Sequence, residues 1–145
     1  MKKLPPIEKV YEAWTAIADG RVEMHEGYAT VASSDGAKAY TVRFEGDTYA
    51  SDDNATYWQG YAGYPVIAVL MLQGKLPYSA AEAEKWKDIN WKSVNTRFKN
   101  NYTLAVEHVA EERDIELKTA RDEARAVMDA LENLDIQLKR KISKN

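Results

Sequence analysis

Residues 21–51 have the sequence RVEMHEGYATVASSDGAKAYTVRFEGDTYAS, and this stretch decides the fold class. Three groups of turn-forming residues, Glu26-Gly27, Ser34-Asp35-Gly36 and Glu45-Gly46-Asp47, separate short runs in which apolar and polar residues alternate. Alternation with a period of two is typical of strands that bury one face, and Gly beside Asp or Glu marks tight turns. The stretch therefore predicts a small antiparallel meander, with strands at 21–25, 28–32, 38–44 and 48–51.

A helix is predicted on the N-terminal side of this meander. Pro5 and Pro6 suit the first turn of a helix, and Gly20 stands where its C-terminal cap belongs. Between them one apolar stripe follows the helical period: Ile7, Val10, Tyr11, Trp14, Ile17 and Ala18. Because a sheet this small is not stable alone, we expect helices to cover one of its faces.

The breakers of regular structure are unevenly distributed along the chain. All seven Gly and all four Pro lie at or before Pro77. This divides the chain into a turn-rich region, residues 1–78, and a helical region, residues 79–145. A short helix is expected at Val66–Leu72, and the capping box Ser79-Ala80-Ala81-Glu82 predicts that another begins at Ala80. The fold class is therefore α+β, with long C-terminal helices after the sheet.

A heptad pattern marks the last part of the chain. Apolar residues alternate spacings of three and four over about three heptads: Leu117, Ala120, Ala124, Val127, Leu131, Leu134 and Leu138. The spacing predicts a coiled-coil-like segment at 117–142. Two arrangements are open: a homodimer through this seam, which we favour, or packing within one chain against the helix that begins at Ala80.

Composition limits the class of protein and its surroundings. The 145 residues have a formal net charge of −3 and contain no Cys, which excludes disulfides and thiolate metal sites. The longest apolar run, Val66–Leu72, is too short to span a membrane, and the N-terminus lacks the apolar stretch of a secretory signal. We therefore expect a cytoplasmic protein without membrane contact.

The order of elements between residues 33 and 70 resembles the SWIM-type zinc-finger family. Ser34-Asp35-Gly36 followed by Tyr40-Thr41-Val42, and then Gly46-Asp47-Thr48-Tyr49, match the hairpin pattern of that family. Ile67-Ala68-Val69-Leu70 matches the aliphatic helix that follows its last metal ligands. The resemblance covers about fifty residues, from Arg21 to Leu72, and implies a module that binds DNA or other proteins.

The four positions that carry zinc ligands in that family carry other residues here. Ser51 and Asp53 replace the first pair, and Tyr64 and Val66 replace the second. A tetrahedral zinc site needs four N, S or O donors, and Val66 offers none, so we expect neither zinc nor another cofactor. We hypothesise that a packed aromatic cluster holds the loop in place of the metal: Tyr49, Tyr57, Trp58, Tyr61 and Tyr64.

One segment combines basic and aromatic residues in the pattern of a nucleic-acid contact. Its candidate contact residues are Lys85, Lys87, Trp91, Lys92, Arg97 and Lys99. Such side chains can pair with phosphates and stack on bases. The alternative, which we favour, is an amphipathic helix whose aromatic residues face the core while its lysines are solvated.

No motif in the sequence indicates catalysis. The two histidines, His25 and His108, lie in different halves of the chain and have no nucleophile motif beside them. The function expected from the sequence is a non-catalytic interaction module that self-associates as a homodimer through its C-terminal helix and binds a protein partner. A DNA-binding accessory protein that uses the 85–99 segment is the alternative.

Overall fold

The computed structural model of this protein describes residues 3–142, as one sheet covered by helices. The elements of the first half are α1 (Lys9–Ala18), β1 (Val22–His25), β2 (Tyr28–Ala32), β3 (Ala39–Glu45), β4 (Thr48–Ser51), a π-helix (Ala55–Gln59) and α2 (Tyr64–Leu72). Those of the second half are α3 (Ala80–Glu84), α4 (Trp91–Arg97), α5 (Tyr102–Arg113), α6 (Leu117–Asn133) and β5 (Gln137–Lys139). The predicted α+β class is confirmed.

The sheet has five strands in the order β1-β2-β3-β4-β5, and the first four form the predicted antiparallel meander. β5 joins the edge in parallel with β4, where Tyr49 faces Leu138. Because side chains alternate between the faces of a strand, the register places Ala29, Val42 and Ser51 together on the inner face. The helices cover this inner face, as expected for so small a sheet.

The core forms where α1 and α2 pack against each other and against the inner face. Every residue of α2 from Pro65 to Met71 is buried, since this helix is apolar on all sides and lies inside the molecule. α1 buries Val10, Tyr11 and Trp14 on the side predicted by its period. The Tyr49 side chain completes the core from β4, and its hydroxyl donates a hydrogen bond of 2.6 Å to Gln73 Oε1.

The second half of the chain is four separate helices, although it contains no Gly or Pro. Residues with positive φ angles lie at the breaks between these helices: Asp88, Lys99, Asn100 and Asp114. Asp and Asn reach this left-handed region more readily than other residues with a side chain, so they end helices as Gly does. Ser79, Asn90 and Asn101 accept hydrogen bonds from backbone N–H groups at the next helix starts, as the capping box predicted for Ser79.

The heptad residues pack within the chain. Four of them lie on the side of α6 that faces the common core and are at most 2% exposed: Ala120, Ala124, Val127 and Leu131. The other three, Leu117, Leu134 and Leu138, are half-buried and pack against the same core. A coiled-coil segment that continues to residue 142 is wrong, since α6 ends at Asn133 and Leu138 belongs to β5. The seam therefore packs within the chain, but against α1 and the common core, since the helix that begins at Ala80 ends at Glu84.

Residues on both sides of the predicted boundary at 78/79 contribute to one buried cluster, which includes Trp14, Ile67, Trp86 and Val127. The division into regions 1–78 and 79–145 stays a prediction. None of the helices found between residues 3 and 142 is long and apolar enough to cross a membrane. Within the same residues, no three His, Asp or Glu side chains come together in a way that could hold a metal ion.

Candidate nucleic-acid interface

The segment from Lys85 to Lys99 turns its tryptophans into the core. Trp91 is 3% exposed, and its indole Nε1 donates a hydrogen bond of 2.8 Å to Thr15 Oγ1. Trp86 is fully buried, and its ring stacks on that of Trp91 with centroids 6.3 Å apart. The segment offers no exposed indole to a base, as the amphipathic alternative predicted, and Trp91 is therefore excluded as a stacking residue.

Nearby carboxylates partly neutralise the basic residues of this segment. Three of them have carboxylate partners: Lys85 at 3.1 Å from Glu82, Lys87 at 3.8 Å from Glu84 and Lys92 at 3.5 Å from Asp35. The Arg97 guanidinium lies over the Phe98 ring, and Lys99 lies just beyond the end of α4. Phosphate contact by these five cations stays a prediction. This segment has no exposed indole that could stack on a base beside them.

The positions of the missing zinc ligands form a buried polar network instead. Ser51 Oγ donates to Asp53 Oδ1 at 2.5 Å, and the backbone N–H of Thr56 donates to Asp53 Oδ2 at 3.0 Å. The N–H of Gly63 donates to Thr56 Oγ1 at 3.0 Å, which ties the end of the loop to its start. A Cβ at Gly63 would lie 2.1 Å from Asp53 Oδ2, so only Gly fits against this carboxylate.

The hypothesis of one packed aromatic cluster at these positions is wrong. The rings divide into separate pairs: Phe44 with Tyr49, Tyr57 with Trp58 and Tyr40 with Tyr64. Trp58 is 63% exposed, and Val66 is buried in the core. Hydrogen bonds from a buried carboxylate hold this loop, because Asp53 can accept from both the strand and the π-helix.

The polar network supports a π-helix that displays Trp58. The π-helix buries Thr56 and ends at Gly60, which adopts a left-handed conformation with φ of 77°. π-helical turns are rare and occur frequently at functional sites. Tyr57 and Trp58 meet edge to face, with ring centroids 4.7 Å apart. The loop thus holds a large aromatic side chain in solvent on a fixed backbone.

One cation lies over both of these rings, and a second lies over the nearby ring of Tyr61. The Arg140 guanidinium lies 5.4 Å from the ring centroids of both Tyr57 and Trp58, and its Nε donates to the Tyr57 carbonyl at 3.2 Å. Lys3 Nζ lies 5.5 Å from the Tyr61 ring centroid. Lys3 comes from the N-terminus and Arg140 follows β5, so residues far apart in sequence meet here.

The outer face of the sheet carries charges of both signs, since Glu23 and Glu45 share it with Arg43 and Lys139. Arg43 on β3 and Lys139 on β5 share one face with Tyr28, because the register aligns them across the strands through Ala50. A cavity of about 410 Å³ lies beside this face, with Arg43, Arg140 and Lys141 among its lining residues.

One carboxylate also lines this cavity. Asp52 Oδ1 accepts a hydrogen bond of 2.8 Å from the Thr41 backbone N–H, which occupies part of its acceptor capacity. Three cations therefore face one carboxylate in the cavity, and the balance there favours an anion. We call the following residues together the Trp58 surface: Lys3, Arg43, Tyr57, Trp58, Tyr61, Arg140 and Lys141.

No contiguous sequence pattern marks this surface, because its cations come from three distant segments. A signal was nevertheless present: Trp58 is the one Trp that lies between a run of polar residues and a Gly, outside any helical period. The loop after Asp53 has no charged residue, and three of its residues within five positions are aromatic: Tyr57, Trp58 and Tyr61.

Comparison with known proteins places the chain in a family. It matches the family model described as Uncharacterised conserved protein UCP014422 over residues 2–137, and it belongs to that family. No curated protein and no solved structure matches the chain.

Proposed function

We propose that this member of the family is a non-catalytic binding protein that engages single-stranded nucleic acid through the Trp58 surface. The exposure of Trp58, 63% on a π-helix fixed by buried hydrogen bonds, carries the proposal. Burial of an indole side chain contributes a free energy on the order of 3 kcal/mol, and the exposed Trp58 does not gain it. A partner that covers the ring would recover this free energy on binding.

The chemistry of the surface suits a polyanion with flat, apolar groups. Stacking of a base on an aromatic side chain contributes about 1–3 kcal/mol and tolerates every base. The Arg140 guanidinium, which lies 5.4 Å from the ring centroids of Tyr57 and Trp58, can pair with a phosphate beside a stacked base. A protruding indole favours single strands, because the bases of a duplex are already stacked on one another.

The distribution of charge supports an anionic partner despite the net charge of −3. Ten acidic and four basic residues lie between Glu107 and Asp135, in and around α5 and α6. The rest of the chain has sixteen basic and thirteen acidic residues. The excess of acid thus belongs to two helices that contribute nothing to the Trp58 surface.

The placement of the histidines is in keeping with a role without catalysis. His25 stacks on Tyr28 and lies 3.0 Å from Glu23, and His108 lies 3.5 Å from Glu112. The Nε2 atom of His108 is buried and has no hydrogen-bond partner among the described residues, and neither of these contacts joins a histidine to a nucleophile. A cytoplasmic location and a relationship to the SWIM-type family both stay proposals; the order of hairpin, loop and helix supports the second.

Self-association through the C-terminal helix, expected from the heptads, finds little support. Four of the seven seam residues are already buried within the chain, so a dimer would need another surface. A protein partner at Trp58 is the competing occupant, and the experiment below separates it from nucleic acid.

The test is fluorescence anisotropy with labelled twelve-nucleotide DNA and RNA of mixed sequence, at low and moderate salt. We expect binding to weaken about tenfold or more in Trp58→Ala and to become less dependent on salt in Arg140→Gln. Lys85→Gln is the matched control, because it removes a cation from the other segment. Failure of the parent protein to bind either strand at low salt would overturn the proposal, and so would full affinity in Trp58→Ala.

A further inference from the structure

A second cavity, separate from the Trp58 surface, lies between the N-terminal helix and the second half of the chain. It measures about 370 Å³, within the range of small-molecule sites. α1 forms one wall with Lys9 and Glu12, and the turn after β2 forms another. α4 closes it with Asn95 and Thr96, so the cavity exists only when both halves of the chain are folded together.

The walls of the cavity are fixed by ion pairs and a hydrogen bond. Lys92 Nζ lies 3.5 Å from Asp35 Oδ2, and the Lys92 backbone N–H donates to Ser34 Oγ at 3.4 Å. Hydrogen bonds from the Ser33 hydroxyl and from a backbone N–H lower the pKa of Asp35 to about 2, which keeps this carboxylate ionised. α4 is thereby joined to the turn after β2.

The charges of the cavity are mostly satisfied within it. Lys9 Nζ lies 3.3 Å from Glu12 Oε2, and both side chains are less than one-fifth exposed. Burial raises the pKa of Glu12, although the Lys9 cation opposes this effect. Asp53 is engaged by Ser51 and the Thr56 backbone. An ionic ligand would find few unpaired opposite charges, and Lys38 at the exposed rim is the main candidate.

The remaining lining groups are neutral donors and acceptors. They are the phenols of Tyr40 and Tyr64, the amides of Asn54, Asn95 and Asn100 and the hydroxyl of Thr96. Burial is the main cause that raises the pKa of both phenols, so both stay protonated and can donate. Neutral groups that both donate and accept match hydroxyl groups, which do the same.

We infer that this cavity binds a small, uncharged, polyhydroxylated molecule: a monosaccharide or the sugar of a nucleoside. The paired charges disfavour charged ligands, and the neutral groups converge from three elements of the fold. The Tyr40 ring meets Tyr64 edge to face, with centroids 6.3 Å apart, and offers an apolar surface to the C–H face of a sugar.

The test is saturation-transfer NMR on the full chain with glucose, galactose, mannose, ribose, adenosine and uridine as probes. We expect transfer to at least one probe, with binding several-fold weaker in Tyr40→Phe and in Asn95→Ala, since each loses a hydrogen bond. Transfer to the ribose protons of a nucleoside that weakens in Tyr40→Phe and Asn95→Ala, with no transfer to a free sugar, would assign the sugar of a nucleoside and separate it from base stacking on Trp58. Tyr78→Phe is the control, because it removes a phenol outside this cavity and should leave binding unchanged.

Three results would overturn the inference. They are the absence of transfer to every probe, binding that is unchanged in both cavity variants, and tighter binding of glucose 6-phosphate than of glucose. Circular dichroism of each variant establishes that it is folded, and Tyr40→Phe keeps the ring that packs against Tyr64.

Discussion

Two groups of aromatic side chains in this protein lie beside basic residues, and they have opposite environments. The buried group is Trp14, Trp86 and Trp91, which are at most 3% exposed. The ring centroids of Trp14 and Trp86 lie 5.1 Å and 4.7 Å from that of Tyr11, and Trp91 stacks on Trp86. Trp58 is 63% exposed, with Arg140 over its ring and Tyr57 against it, and Lys3 donates to the carbonyl of the next residue, Gln59. In sequence, the buried group has more nearby lysines than the exposed one.

Two of the three buried indoles have an acceptor for their Nε1–H group. Trp86 Nε1 donates to Glu82 Oε2 at 3.1 Å, and Trp91 Nε1 donates to Thr15 Oγ1 at 2.8 Å. The acceptor of Trp91 lies 76 residues away in sequence and that of Trp86 only four, whereas Trp14 Nε1 is buried without a hydrogen-bond partner among the described residues. Burial of these rings therefore rests on their packing in the core as well as on their acceptors. Basic and aromatic residues that are neighbours in sequence do not by themselves make a binding surface.

The largest expected effect is on the buried group. Trp86→Ala should lower the free energy of unfolding by about 3–5 kcal/mol, because it leaves a cavity among Tyr11, Trp14 and Trp91. Urea unfolding followed by circular dichroism measures this. A loss below about 1 kcal/mol would mean that Trp86 is not buried as described, and the contrast between the two groups would disappear.

A smaller effect should follow from removal of one hydroxyl. Thr15 is fully buried, and its Oγ1 donates to the Trp86 carbonyl at 2.6 Å and accepts from Trp91 Nε1. Thr15→Val keeps the shape and leaves both partners unsatisfied, so we expect a loss of about 2 kcal/mol in the same measurement. Thr15→Ser is the control, because it keeps the hydroxyl. If both variants lost the same free energy, the loss could not be assigned to the two hydrogen bonds, because Thr15→Ser keeps them.

The local part of the fold was predictable from the sequence. β2 and β4 begin and end at the predicted residues, because Gly27 and Gly46 occupy tight turns with positive φ. α1 was predictable because its apolar period matches the stripe that it buries. The turn glycines and the apolar period lie next to, or within, the strands and the helix that they specify.

The non-local part was not predictable in the same way. Leu138 continues the heptad spacing in sequence but pairs with Tyr49 across the β4–β5 edge, a contact that spans 89 residues. The helix breaks at Asp88 and Asp114 depend on single left-handed residues that look solvated in sequence. The Trp58 surface likewise requires β5, since that strand brings Arg140 to the π-helix.

The smallest effect on stability should come from the exposed group, and it sharpens the comparison most. Trp58→Phe should change the free energy of unfolding by no more than about 0.5 kcal/mol, because the side chain is mostly in solvent. It should also remove most of the tryptophan fluorescence that iodide quenches, since the other three indoles are buried. Trp91→Phe is the matched control and should leave iodide quenching in place.

Iodide also reports the charge around the ring. Arg140 and Lys3 should concentrate the anion near Trp58, so iodide should quench the parent protein more strongly than caesium does, and Arg140→Gln should reduce this difference. Equal quenching of Trp58→Phe and the parent would place the accessible indole elsewhere. Equal quenching by the two ions would remove the electrostatic part of the proposal and leave stacking alone to attract a nucleic acid.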